Sequence, residues 1–174
     1  MARTHGLLSC AKHFPGLGAA TIDPHEATAE ADYDLNTWST REMRPFEIAV
    51  RAQVDMIMTT HLRLPAIDDT IATGSSKITD HMIRTMLGYE GPVVTDDLLM
   101  SGAAELGDVG ERAIAAFLAG HDLLLFGQDT EAAIEAMEAF ERAAERGDIP
   151  AERIRRSLER IASVKCKLAS KIVL

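Results

Sequence analysis

Apolar residues along this 174-residue chain follow two patterns that alternate from one end to the other. Short apolar runs predict strands, whereas longer segments with apolar residues three and four positions apart predict amphipathic helices. The predicted strands cover 7–13, 54–60, 93–95 and 122–126, and the predicted helices cover 39–52, 79–87, 109–119, 130–145 and 150–169. Regular alternation of this kind is typical of an α/β fold with parallel strands and right-handed crossovers.

Local signals set some of the predicted boundaries. Ser39 and Glu42 have the spacing of a capping box, which predicts a helix start. Gly88 and Gly120 are placed to end helices. The segment from Pro15 to Trp38 shows no clear period and is long for a connection, which is typical of a functional loop.

Composition and charge narrow the class of protein. The length and apolar content predict one soluble domain over 1–174, and the net charge of −9 argues against nucleic acid or an anionic membrane as partner. No apolar run approaches the roughly 18 residues of a membrane span, and the first residues lack a signal-peptide pattern, so we expect a cytoplasmic protein. Cys10 and Cys166 are expected to be thiols without a disulfide or metal.

Polar residues stand at the ends of three predicted strands. Lys12 and His13 end the first, His61 ends the second, and the adjacent acids Asp96 and Asp97 end the third. Because the carboxyl ends of parallel strands open on one face, these side chains are expected to converge there. Each also has a purely structural interpretation, as an edge lysine, a buried histidine with satisfied nitrogens, or an acid pair capping a turn.

The long first loop contains a further candidate pair. An aspartate two residues before a histidine, as in Asp23-Pro24-His25, can hydrogen-bond the imidazole, hold one tautomer and stabilise its cation. The alternative is an Asx turn before Pro24.

Taken together, four motifs resemble those of the family 3 glycoside hydrolases, most closely the bacterial β-N-acetylhexosaminidases. The resemblance covers essentially the whole chain, including Arg44-Pro45-Phe46 and the last helices. The motifs are K-H-F-P-G at 12–16, D-x-H at 23–25, M-T-T-H at 58–61 and G-P-V-V-T-D-D-L-x-M at 91–100.

The resemblance implies a retaining mechanism without a metal or organic cofactor. Asp96 matches the nucleophile that forms a covalent glycosyl-enzyme, His25 matches the general acid/base, and Asp23 matches the residue that orients the histidine. A retaining enzyme needs one such anionic nucleophile and one proton donor beside the leaving oxygen.

The resemblance also implies substrate-binding residues for a small saccharide. Lys12 and His13 match residues that hydrogen-bond sugar hydroxyls, and His61 matches a position facing the pocket. Asp97, grouped with the substrate-binding residues, would be the neighbour of Asp96 and is expected to hold the loop by hydrogen bonds rather than to attack.

Two departures from the family pattern bear on function. The motif K-H-F-P-G usually continues H-G-D-T, but this chain has Leu17 for the histidine and Ala19-Ala20 for the Asp-Thr pair, which weakens the prediction of aminosugar specificity. The family's barrel has about twice this length. We therefore expect the C-terminal half of a (β/α)8 barrel, holding catalytic groups but lacking half the sugar pocket.

A half barrel would leave two strand edges unpaired and its inner face exposed. Two copies around a twofold axis would close eight strands, so we expect a homodimer. The alternative is an open four-stranded sheet with the helix from Pro150 to Ala169 folded across the exposed face.

Three functional interpretations remain open from the sequence. The first is a retaining glycoside hydrolase acting on β-linked sugars or aminosugars. The second is a small-ester hydrolase, for which Ser9 and Ser101 are the available hydroxyls, although neither lies in a G-x-S-x-G motif. The third is a non-catalytic assembly remnant of the barrel.

Overall fold

One parallel sheet organises the chain. The computed structural model describes residues 7–18, 20, 28–127 and 129–172. The sheet contains four strands in the order β1, β3, β5, β6, and every neighbouring pair is parallel. The strands are β1 (Cys10–Phe14), β3 (Met56–Thr59), β5 (Val93–Asp97) and β6 (Leu123–Leu125). The predicted α/β class with parallel strands is confirmed.

A second, two-stranded parallel sheet was not predicted. Its strands are β2 (Ala29–Glu30) and β4 (Leu62–Arg63). Strands of two residues are too short to show alternation, so β2 was hidden within the segment expected to be an irregular loop.

The helices follow the strands in the predicted order. Short 3-10 turns lie at Ala72–Gly74 and Ser101–Leu106, and π-type turns form Trp38–Glu42 and Lys77–Met86. No helix within the described ranges is both long enough and apolar enough to cross a membrane. The α-helices are α1 (Leu35–Thr37), α2 (Met43–Arg51), α3 (Val109–Ala119), α4 (Thr130–Arg146) and α5 (Ala151–Ile172).

The predicted capping box at Ser39 and Glu42 is wrong. Helical structure begins earlier, at Leu35, because the Asp34 carboxylate accepts a hydrogen bond from the Thr37 amide at 2.7 Å. The Ser39 hydroxyl instead donates to the carbonyl of Asn36. An aspartate is as good an N-cap as a serine, and the earlier one starts the helix.

The two faces of the four-stranded sheet differ in burial. Ile57 and Val93 are fully buried against the helices, in a core that also contains Phe14, Trp38 and Phe46. On the opposite side, Met58, Val94 and Leu123 lie side by side in register and are only partly buried. We call this second side the open face.

Helix α5 crosses the amino ends of the strands. Asp122, just before β6, accepts from Arg153 and Arg160 of α5 at 3.3 and 3.2 Å. Asp55, just before β3, lies 3.7 Å from the Lys167 ammonium. The alternative expectation that this helix covers the open face is therefore wrong, because these ion pairs hold it at the end of the sheet.

Candidate active site

The carboxyl ends of β1 and β5 bring two predicted site residues together. His13 Nε2 lies 3.6 Å from Asp96 Oδ2, and the two side chains are 27% and 17% exposed. Lys12 precedes His13 in β1 and is exposed. The predicted convergence of His13 and Asp96 is thus observed, at a place open to solvent.

The backbone after Asp96 is held by a series of hydrogen bonds. Asp96 Oδ1 accepts from the Asp97 amide at 2.9 Å, and Asp97 Oδ1 accepts from the Leu99 amide at 3.0 Å. The Leu98 amide donates to the Leu125 carbonyl of β6. The Asp97 carboxylate therefore holds the loop, as the sequence led us to expect.

His61 has different surroundings from those expected. Its side chain is fully buried, with Nε2 2.9 Å from the Asp97 carbonyl oxygen and Nδ1 2.7 Å from the Thr73 hydroxyl. Burial lowers the pKa of this imidazole, which keeps it neutral. Because both nitrogens bond within the chain, the structure does not support the expected contact of His61 with a sugar.

Arg112 is a site residue that the sequence did not reveal. From α3 it donates to the Leu98 carbonyl at 2.9 Å and to the Gly107 carbonyl at 2.8 Å, so it ties together the two ends of the loop after β5. In the sequence it looks like any solvent-facing helical arginine, and no local pattern singles it out.

Aromatic side chains donate hydrogen bonds to the backbone of the K-H-F-P-G segment. Trp38 Nε1 donates to the Pro15 carbonyl at 2.8 Å, and the Tyr33 hydroxyl donates to the Gly16 carbonyl at 3.1 Å. Phe14 packs edge-on against Trp38 with ring centroids 5.8 Å apart. These contacts fix the backbone of the turn that follows His13.

Two predicted catalytic residues cannot be compared with the structure. Asp23 and His25 fall within 21–27, outside the described residues. The described chain stops at Ala20, which packs against the main core, and begins again at Thr28, directly before β2.

One of the two serines considered for a small-ester hydrolase lies away from the site. The Ser9 hydroxyl donates to Asp55 Oδ2 at 3.1 Å, at the amino end of the sheet and away from Asp96. Ser101 is exposed at the start of a 3-10 turn. Among the described residues, no three His, Cys, Asp or Glu side chains cluster closely enough to hold a metal ion.

Similarity to known proteins identifies the family. The model of the Glycosyl hydrolase family 3 N terminal domain matches residues 1–164. Curated Beta-hexosaminidases of Vibrio cholerae and Idiomarina loihiensis are 37% and 34% identical over 134 residues, which is 76% and 77% of this chain. The chain spans only 40% of the length of each of these relatives.

A solved structure gives the same result. A glycoside hydrolase family 3 beta-N-acetylglucosaminidase from Paenibacillus sp. str. FPU-7 superposes with a TM-score of 0.94 at 35% identity, covering 99% of this chain and 33% of that one. The match extends over the strands that carry His13 and Asp96. The resemblance drawn from the motifs is confirmed, and the chain belongs to glycosyl hydrolase family 3.

Proposed function

We propose that this chain carries the nucleophile of a retaining glycoside hydrolase that acts on β-linked sugars or aminosugars. The supporting observation is the Asp96 carboxylate, which is partly exposed at the carboxyl end of β5 and oriented by the Asp97 amide. The names of the relatives, Beta-hexosaminidase and beta-N-acetylglucosaminidase, favour an aminosugar.

The proposed reaction has two steps. An Asp96 oxygen bonds to the anomeric carbon while the glycosidic oxygen leaves with a proton from the His25 imidazolium. His25 then takes a proton from water, the water oxygen bonds to the anomeric carbon, and the bond to Asp96 breaks. Asp23 orients the imidazole and stabilises its cation.

The sugar would lie beside Asp96, at the carboxyl ends of the strands. In this proposal Lys12 and His13 donate hydrogen bonds to sugar hydroxyls, and His13 also limits the position of the ring because it lies next to Asp96. Asp97 shapes the loop through its bond to the Leu99 amide. His61 takes no part in sugar binding, because both of its nitrogens are engaged.

The proposal includes a half barrel completed by a second copy. Within the described chain, β1 and β6 each have a neighbouring strand on one side only. A twofold axis parallel to the strands would pair each β6 with β1 of the other copy, which closes eight parallel strands and covers the open face.

Surface charge supports this pairing. In the closed ring, α4 of one copy would stand next to α2 of the other, because each helix follows an edge strand. The exposed face of α2 carries Arg44, Ile48 and Arg51. The exposed face of α4 carries apolar residues among acidic ones, namely Glu131, Ile134, Glu135, Met137 and Glu138. The basic and acidic faces are complementary, and each has an apolar centre.

Hydrolysis of aryl glycosides tests the chemical part. We expect the chain to cleave an aryl β-N-acetylglucosaminide or a related aryl β-glycoside, and Asp96→Asn to lower the rate by a factor on the order of 1,000 or more. Asp69→Asn, an exposed loop aspartate, is the matched control and should leave the rate unchanged. Cleavage of esters alone, no cleavage of any substrate, or equal rates in both variants would contradict the proposal.

Molar mass in solution tests the assembly. The wild-type chain should have the mass of a dimer, and Met137→Glu should convert it to monomers, because a charge then meets the apolar centre of the helix pair. Leu118→Glu, on the exposed side of α3, is the control and should stay dimeric. A wild-type monomer that binds no apolar dye would rule out the dimer.

A further inference from the structure

A chain of hydrogen bonds leads from the interior of the protein to Asp96. The Thr73 hydroxyl contacts His61 Nδ1 at 2.7 Å, and His61 Nε2 contacts the Asp97 carbonyl at 2.9 Å. The Asp97 amide then donates to Asp96 Oδ1 at 2.9 Å. None of the first three residues donates to the sugar in the proposed function, yet the chain of bonds ends on the proposed nucleophile.

The partners of His61 determine its tautomer. A carbonyl oxygen can only accept, so Nε2 must carry the hydrogen that it shares with Asp97. Burial lowers the pKa of the imidazole and favours its neutral form, in which Nδ1 has no hydrogen and accepts from the Thr73 hydroxyl. That hydroxyl also lies 3.3 Å from the Thr60 carbonyl, and its single hydrogen goes to the closer partner, Nδ1.

Asp97 transmits this constraint to Asp96. Its carbonyl accepts from His61 at 2.9 Å and from the Met100 amide at 3.0 Å, its carboxylate accepts from the Leu99 amide, and its own amide bonds to Asp96. Rotation of the backbone at Asp97 would break the bond to His61 and turn the amide away from Asp96 Oδ1. We infer that His61 is a positioning residue, which orients the Asp96 carboxylate through the backbone of Asp97.

This inference rests on the proposed role of Asp96, and it changes what position 61 is expected to do. A sugar-binding histidine would need a nitrogen exposed at the carboxyl ends of the strands, where Asp96 lies. His61 instead supplies one N–H to the backbone directly after the nucleophile, so its loss should affect the turnover rate more than substrate binding.

The chain offers a matched control in His121. This histidine is also fully buried and also bonds one threonine hydroxyl and one backbone carbonyl, with Nε2 2.8 Å from Thr59 Oγ1 and Nδ1 2.8 Å from the Ala116 carbonyl. It lies beneath α3 and contacts no residue of the loop after Asp96 in the described bonds. Replacing it removes an equivalent pair of buried hydrogen bonds without changing a contact of Asp96 or of the loop after it.

The first experiment needs no catalytic activity. Nitrogen-15 NMR of the wild-type chain at neutral pH should show His61 as the neutral Nε2–H tautomer. The Asp97 amide proton shift should follow the titration of Asp96, because the two share a hydrogen bond. A Nδ1–H tautomer, an imidazolium at neutral pH, or an Asp97 amide proton shift that does not change as Asp96 titrates would overturn the inference.

Two substitutions at position 61 separate positioning from simple stability. In His61→Gln the side-chain amide reaches the place of Nε2, so the response of the Asp97 amide should survive. In His61→Asn the shorter side chain stays polar but cannot reach Asp97, and the response should fall by about half or more. His121→Asn should leave it intact. Equal responses in His61→Gln and His61→Asn would contradict the positioning role.

Kinetics then separate this inference from the proposed function. His61→Asn should lower kcat about 10- to 100-fold with little change in KM, and His61→Gln should recover most of kcat. If the wild type cleaves no glycoside but its Asp97 amide responds as predicted, the proposed function fails and the positioning stands. If glycoside cleavage is present and His61→Asn keeps full kcat, the positioning inference alone fails.

Discussion

Two aspartates at opposite ends of the same sheet differ in how many partners their carboxylates have. Asp122, at the amino end, has a side chain that is 0% exposed, and its oxygens are fully used. They accept from Arg84 at 2.8 Å, Arg153 at 3.3 Å, Arg160 at 3.2 Å, the Ser157 hydroxyl at 2.6 Å and the Val93 amide at 3.0 Å. Burial raises the pKa of Asp122, but the Ser157 hydroxyl, the Val93 amide and the arginines outweigh it and hold the pKa below its ordinary value.

Asp96, at the carboxyl end, has fewer hydrogen-bond partners and is more exposed. It is partly exposed, it accepts one backbone amide among the described hydrogen bonds, and the imidazole of His13 lies 3.6 Å from it. A carboxylate that is fully compensated holds elements together, whereas one that is oriented but incompletely compensated can attack an electrophile. The comparison predicts that removing the Asp122 carboxylate mainly lowers stability, whereas removing the Asp96 carboxylate mainly lowers turnover.

Loss of the Asp122 carboxylate should have the largest effect. Asp122→Ala leaves three mostly buried guanidinium groups without their anion, so the free energy of unfolding should fall by about 3–5 kcal/mol. Asp96→Ala should change it by less than about 1 kcal/mol, because the group is partly exposed. Urea unfolding of both variants measures the free energy of unfolding, and equal losses in the two variants would contradict this prediction.

Acidification should destabilise the chain through His121. Burial, opposed by the Ala116 carbonyl and Asp122, lowers the pKa of this histidine from 6.5 to about 4. A lowered folded-state pKa gives stability that is complete above pH 6.5 and is lost as the pH falls toward 4, by about 3 kcal/mol in all.

Urea unfolding between pH 8 and 4 measures this loss. His121→Gln should flatten the profile while lowering stability at pH 7, since the glutamine has no proton to gain. His61, whose pKa is also lowered by burial, contributes in the same direction. A wild-type chain that becomes more stable as the pH falls through this range would contradict the account.

Crowding at the site should affect turnover more than stability. A Cβ atom added at Gly127 would lie 2.7 Å from Asp97 Oδ2, so Gly127→Ala should displace the carboxylate that holds the loop after Asp96. We expect a loss of turnover with a destabilisation of about 1 kcal/mol. Gly18→Ala meets nothing closer than 3.5 Å and is the control. Full activity in Gly127→Ala would show that the loop needs no such support.

The smallest effect should come from an exposed ion pair. Glu152, whose pKa is lowered to about 2 by hydrogen bonds from Arg155 and Arg156, lies on the outer surface of α5. Because water and salt screen such pairs, Glu152→Gln should leave the urea midpoint within experimental error. A loss like that of Asp122→Ala would mean that exposure does not separate the two kinds of carboxylate.

The sequence predicts the positions of His13 and Asp96 well because each follows a short apolar run that ends in a parallel strand. It does not predict β2, which is too short to show alternation, or the start at Asp34, which competes with an equally plausible cap at Ser39. It also misses contacts that arise only from tertiary packing. These include the bonds of Tyr33, Trp38 and Arg112 to backbone carbonyls and the position of α5 at the amino ends of the strands.

His61 shows the same limit within a motif. Its place at a strand end predicts a residue near the site, and that is where it lies. The direction of its side chain depends on Thr73, which is twelve residues further on and belongs to a turn without a sequence signature. A motif therefore locates a residue without fixing what its side chain touches.

Trapping of the covalent intermediate tests the central claim, the nucleophilic role of Asp96, most directly. The purified chain would be incubated with a fluorinated N-acetylglucosaminyl fluoride and digested, and its peptides would be weighed by mass spectrometry. The account predicts one added sugar on the peptide containing Asp96, and no adduct in Asp96→Asn. A wild-type chain without an adduct, or an adduct that persists in Asp96→Asn, would contradict it.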